Sequence, residues 1–211
     1  MSLEQVEFGD LVFVERRHDV RVIVNIAGRF SLADRRDARG ERRIFACRAV
    51  NLSACAVALA SPVIGKVGER VIAHIDHLGK LEGVVVRVLE RGFVMSIAAS
   101  YDERDKLAVK IEWLEKHKDH DVAEQRGDGR VAPTNPYSRM ILPDGSRETC
   151  LVLDISVSGA AISADTVPEV GAVVAIGIVI GRVVRHFQGG FAVQFVERQS
   201  PHNVEVMVIH D

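Results

Sequence analysis

Cysteine is scarce in this 211-residue chain, and aromatic residues make up only 5% of it. The three cysteines, Cys47, Cys55 and Cys150, include no C-x-x-C pair and are odd in number. They argue against a disulfide frame or a thiolate zinc site and read as small core residues in a reducing compartment. An excess of charge of one sign is also missing. A net charge of −2 speaks against a general DNA, RNA or membrane-surface binder, which usually advertises a basic excess. The longest apolar stretch, Val173 to Val184, is broken by Gly177 and Gly181 and is too short to span a bilayer. Glu4, Glu7 and Asp10 precede any long apolar run, so no signal-peptide pattern is visible. The expectation is a cytoplasmic protein with no membrane insertion. No nucleophile–base pair, Gly-Lys phosphate loop or paired catalytic carboxylates stand out, so an enzyme is not expected.

What the chain has in quantity is arginine, which outnumbers lysine more than threefold. Arginine suits bidentate contacts to phosphates and guanine edges. A repeat organises part of it. Arg17-His-Asp-Val-Arg21 is followed by Asn51-Leu-Ser53-Ala-Cys-Ala56, and Arg126-Gly-Asp-Gly-Arg130 by Asp154-Ile-Ser156-Val-Ser-Gly159. Both copies fit R-x-x-x-R followed by [D/N]-x-S-x-x-G, except that Ala56 stands where glycine is expected. Chance matches such as Arg35/Arg39, Arg39/Arg43 and Arg87/Arg91 lack the order and spacing. A period of about a hundred residues points to two similar domains rather than a solenoid.

Short Val- and Ile-rich runs bounded by turn residues predict strands throughout. In the first half these are 21–32, 44–50, 57–59, 70–75, 83–89 and 93–98, with Gly79-Lys80 and Arg91-Gly92 as turns. An Arg-rich stretch, 34–43, reads as a solvated loop. Acidic Asp102 and Glu103 open a helix carrying Leu107, Ala108, Ile111 and Leu114 at helical spacing, with Lys116, His117 and Lys118 at its end. A polar linker, 117–125, follows. The second half repeats the strand series at 138–142, 149–155, 160–163, 173–178, 180–187 and 191–196, with Asp144-Gly145 as a hairpin turn. Periodicity leaves 204–209 open between strand and helix. Short strands at this spacing suggest barrels or sandwiches. His74, Asp76 and His77 include metal-ligand types, but strand alternation sends them to opposite faces; His117 and His120 read as surface polarity.

The motif pair resembles that of the PilZ family, whose members bind cyclic di-GMP on a small β-barrel. The resemblance implies a mainly β fold of two tandem PilZ-like barrels, the first (1–118) followed by an α-helix, the second spanning 119–211. It implies ligand residues Arg126, Arg130, Asp154, Ser156 and Gly159 in the second copy, and Arg17, Arg21, Asn51 and Ser53 in the partly matching first. The ligand is then cyclic di-GMP, with no other cofactor and no metal, and the output passes through domain rearrangement or a protein partner. The alternative is a PilZ-fold interaction scaffold that does not bind the nucleotide.

The residue types suit that ligand. An Arg fork matches the O6 and N7 acceptors of guanine, and a carboxylate such as Asp154 accepts from its N1–H and N2–H₂ donors. Asn51 offers one neutral acceptor instead. Gly159 permits either a positive φ or a close backbone approach. The same Asp and Ser residues also belong to ordinary turn chemistry, in which they bond their own backbone.

Overall fold

The computed structural model describes residues 21–116 and 129–209. Arg17, Arg126 and the histidines 117 and 120 lie outside them. The described residues form twelve strands and two helices: β1 (Val22–Leu32), β2 (Phe45–Leu52), β3 (Ala56–Ala60), β4 (Arg70–Ile75), β5 (Gly79–Leu89), β6 (Gly92–Ser96), α1 (Tyr101–Lys116), β7 (Tyr137–Ile141), β8 (Arg147–Ser156), β9 (Gly159–Ser163), β10 (Val173–Ile176), β11 (Val179–Phe187), β12 (Gly190–Phe195) and α2 (Val204–Val208). They close into two antiparallel barrels of one topology, in the orders β1-β2-β3-β6-β5-β4 and β7-β8-β9-β12-β11-β10. Closure pairs every strand on both sides and leaves no open edge.

Strand alternation fills each interior. In the first barrel Phe30 stands against Phe45 and Phe93, with ring centroids 5.6 and 5.2 Å apart. In the second, Phe191 packs with Met140, Ile162 and Val183. Helix α1 opens with a capping box: the Ser100 N–H and hydroxyl both donate to Glu103 Oε2 at 2.8 Å, and the Glu103 N–H returns a bond to Ser100 Oγ. Its face of Leu107, Ile111 and Leu114 is buried on the first core, whereas Ala108 is exposed. Residues 204–208 form a helix, α2, because Val204 and Val208 fill the second core.

The sequence reading needs two corrections. The β4–β5 turn is not at Gly79-Lys80. It falls at Asp76–Leu78, where His77 takes φ +65°, and Gly79 already belongs to β5. Nor is the Arg-rich stretch simply solvated. Arg43 donates to Asp165 Oδ1 at 2.7 Å and to the Asp165 carbonyl, and Arg35 lies 3.6 Å from the same carboxylate. Two arginines of the first barrel thus hold an aspartate of the second.

The barrels meet through corresponding surfaces. Val50 and Leu153 each stand one residue before the motif residues Asn51 and Asp154, and both pack on an apolar cluster of Ala60, Tyr137 and Leu151. The Tyr137 hydroxyl donates to the Arg91 carbonyl and accepts from the Ser61 N–H at 3.2 Å. In the other direction, the Ala46 N–H reaches the Gly189 carbonyl at 3.2 Å and Ser163 Oγ at 3.1 Å. Gly189 has φ +95°, and a Cβ there would lie 3.0 Å from the Ala46 nitrogen. The glycine lets this turn touch the neighbouring barrel's backbone.

Candidate functional site

In the second barrel the two halves of the motif are in contact. The segment entering β7 pairs with β8 at Val131 and Ile155, through N–H···O bonds of 2.8 and 2.9 Å in the two directions. This lays Arg130 beside Asp154, and its Nη1 donates to Asp154 Oδ1 at 2.8 Å. Both side chains remain partly exposed, at 40% and 35%, so the pair is worth about 0–1 kcal/mol.

Asp154 owes its outward position to a β-bulge. The β8–β9 register shifts between Val152 and Asp154, after which Asp154 faces Ala161. The following turn is held by Ser156, which is buried. Its hydroxyl donates to the Gly159 carbonyl at 3.2 Å and accepts from the Ser158 N–H at 3.4 Å. Of the two reasons for a glycine at 159, the structure gives close approach: a Cβ would sit 2.4 Å from the Val193 carbonyl oxygen.

The first barrel repeats the construction. A bulge between Ala49 and Asn51 turns Asn51 outward opposite Ala58, and Ser53 Oγ accepts from the Cys55 and Ala56 N–H groups at 3.3 and 3.2 Å. Here the motif residues gather around an open pocket of about 430 Å³ that Arg21, Asn51, Ser53 and Ala56 line with Arg87. Both serines therefore serve their turns, and Arg21 and Asn51 line the same pocket.

Strand register exposes a residue that the motifs miss. In the first barrel Asn51, Ala58, Val94 and Arg87 are successive cross-strand partners over β2, β3, β6 and β5. In the second, Asp154, Ala161, Ala192 and Arg185 form the same row over β8, β9, β12 and β11. Each row runs from an amide or acid, over two small residues, to an arginine placed at a second bulge. The signal was present as a third repeated motif, G-x-V-V-R, at 83–87 and 181–185.

One residue of the first barrel reaches the second site. Arg48 in β2 is only 6% exposed; its guanidinium donates to Asn25 Oδ1 at 3.2 Å and to the carbonyl of Leu153, next to Asp154. Its Nε has no partner among the described residues. Burial pulls its pKa below the ordinary arginine value, and the Asp154 charge opposes that shift. Cys47 and Cys150, at matching places in the two cores, have their thiols pushed up by burial, Cys150 to about 12. They are packing residues rather than nucleophiles. Among the described residues no three His, Cys, Asp or Glu side chains converge on a metal position, and no helix is long and apolar enough to cross a membrane.

Residues 124–208, which hold Arg126, Arg130, Asp154, Ser156 and Gly159, match the PilZ domain family. The chain matches no curated protein. Among solved structures it is similar to the PlzA protein of Borreliella burgdorferi in complex with c-di-GMP, at 11% identity and TM-score 0.28, covering 95% of this chain and 96% of that one. It is also similar to the Bacillus subtilis inhibitor of motility MotI/DgrA, at 11% identity and TM-score 0.28, covering 89% and 94%. A third similarity is to the K. pneumonia MrkH–c-di-GMP complex, at 14% identity and TM-score 0.26, covering 94% and 88%.

Proposed function

We propose that this chain is a cyclic di-GMP receptor, not an enzyme, with its ligand on the second barrel. The observation that carries the reading is the contact between Arg130 and Asp154, within the segment that matches the PilZ domain. The pair presents a guanidinium fork and a carboxylate side by side on an exposed barrel face. A guanine offers the complement: O6 and N7 acceptors for the fork, N1–H and N2–H₂ donors for the carboxylate. Arg126, four residues earlier, supplies a second guanidinium for a phosphate or the other base. Ser156 and Gly159 set the turn that aims Asp154, and Arg185 closes the far end of the row.

Ligand that draws Arg130 away from Asp154 changes the charge beside Arg48, and so bears on how the barrels dock. The signal then passes through the rearranged barrels to a protein partner, with no DNA or RNA involved. Calorimetric titration of the whole protein with cyclic di-GMP tests this. Saturable heat at micromolar ligand supports the receptor, and its absence well above that range overturns it.

A second reading has its own observation. Arg130 and Asp154 satisfy one another, and Ser156 satisfies its own turn, so the motif also works as pure structure. That describes an interaction scaffold. A ligand that binds only the folded state raises the melting temperature, so a null thermal shift with cyclic di-GMP favours the scaffold.

A further inference from the structure

We propose that two copies of this chain associate about a twofold axis through an aliphatic face of the second barrel. The inference goes beyond the ligand reading and does not depend on it.

The internal repeat singles out this face. Gly83 and Gly181 are equivalent through G-x-V-V-R, and strand register carries the equivalence to the neighbouring strands. Arg70, Lys80 and Glu82 of the first barrel then correspond to Val173, Ile178 and Ile180 of the second. Ala98 corresponds to Val196, because the Ala98 N–H donates to the Glu82 carbonyl and the Val196 N–H to the Ile180 carbonyl. In the first barrel the three positions form a charged cluster, with Glu82 held by Lys80 at 2.6 Å and by Arg70 at 2.8 Å. In the second barrel every one of those charges is replaced by an aliphatic side chain. Val173, Ile178, Ile180 and Val196 are 44%, 59%, 55% and 67% exposed. Helix α2 reaches the same corner, where the Ile178 N–H donates to the Met207 carbonyl at 3.0 Å, and adds the exposed Val206. The inward residues Val174, Val179 and Val183 already fill the core, so folding alone does not call for the outward set.

The make-up of the patch favours a second copy over an unlike partner. Interfaces between exchanging partners are about as apolar as ordinary surface and lean on aromatic and arginine anchors, whereas homodimer interfaces are more apolar. This patch is Val and Ile throughout. A twofold contact also sets residues near the axis against their own copies. A charge there would meet a like charge; Ile180 against Ile180 only removes apolar surface from water. The rim carries both signs, with exposed Arg182 cross-strand from Val173 and exposed Glu197 following Val196. A twofold offers each an opposite charge across that rim. A stable dimer buries roughly 800 Å² on each copy, and its centre is the apolar part. Five clustered aliphatic side chains supply such a centre. They lie at the start of β11, whereas Arg185 of the site row lies beyond the bulge at Val183, so association and ligand binding are read separately.

Sedimentation equilibrium of the full chain from about 1 to 100 µM tests the inference, a range suited to a standard-size interface. The parent should pass from the mass of one chain to that of two. Val173→Arg/Ile178→Lys/Ile180→Glu copies the charged cluster that the first barrel already carries, so it should keep the parental circular dichroism while remaining a single chain throughout. Should that variant fail to fold, Val196→Lys alone serves, and it should weaken association by about tenfold or more, since it buries a charge against its own copy. A parent that is a single chain at about 100 µM leaves the patch to an unlike protein or to this chain's own remaining residues, and overturns the inference. Association that persists unchanged in the folded variants places the contact elsewhere and overturns it equally.

Discussion

Arg48 of the first barrel donates a hydrogen bond to the main-chain carbonyl of Leu153 in the second, one residue before the site carboxylate of Asp154. By the internal repeat, Arg48 and Leu151 are counterparts, each three residues ahead of Asn51 or Asp154. One barrel thus places a buried cation where the other places an apolar side chain. Arg48→Ala leaves the Leu153 carbonyl and Asn25 without this donor. It should cost about 1.5–3 kcal/mol, the worth of hydrogen bonds to a charged group. Arg48→Leu, which copies the counterpart, should recover part of that loss through packing. Urea midpoints of the two variants and the parent check the order.

Gly159→Ala inserts a Cβ at 2.4 Å from the Val193 carbonyl oxygen. Neighbouring strands must separate, at about 1–3 kcal/mol, the usual cost of overpacking. Ala56→Gly at the matching position should cost only about 0.5–1 kcal/mol, through the added freedom of glycine. Thermal melts should therefore rank Gly159→Ala below Ala56→Gly.

Much of this was legible because the chemistry is local. The [D/N]-x-S motif encodes a turn and a bulge within six residues, and the repeat located both barrels. Other features depend on partners far along the chain. Arg43 and Asp165 are 122 positions apart, and Arg48 and Leu153 are 105 apart, so the stretch 34–43 read as a loop. Arg87 and Arg185 end the repeated G-x-V-V-R, but only cross-strand register sets them opposite Val94 and Ala192. The 204–209 segment took its helical form from the core it seals. His77, rather than a glycine, takes a left-handed backbone within the β4–β5 turn, which falls just before the expected Gly79-Lys80.

Glu82 gives the first barrel a measurable acid response. Hydrogen bonds from Lys80 at 2.6 Å and Arg70 at 2.8 Å hold its carboxyl at about 2, well below the usual value. A depressed carboxyl contributes stability that is complete above its unfolded value and is lost as pH falls toward the folded one. Glu82→Gln should therefore lower the denaturation midpoint at pH 6 and make little difference near pH 2. Urea titrations at both pH values provide the comparison.

The central claim is that Arg130 and Asp154 hold a guanine of cyclic di-GMP, and calorimetric titration of Arg130→Ala beside the parent and Arg21→Ala tests it most directly. Loss of a bidentate base contact is worth about 1–3 kcal/mol, or roughly one to two decades of affinity. The account predicts that weakening for Arg130→Ala and near-parental binding for Arg21→Ala. Abolition by Arg21→Ala with Arg130→Ala unaffected would contradict it.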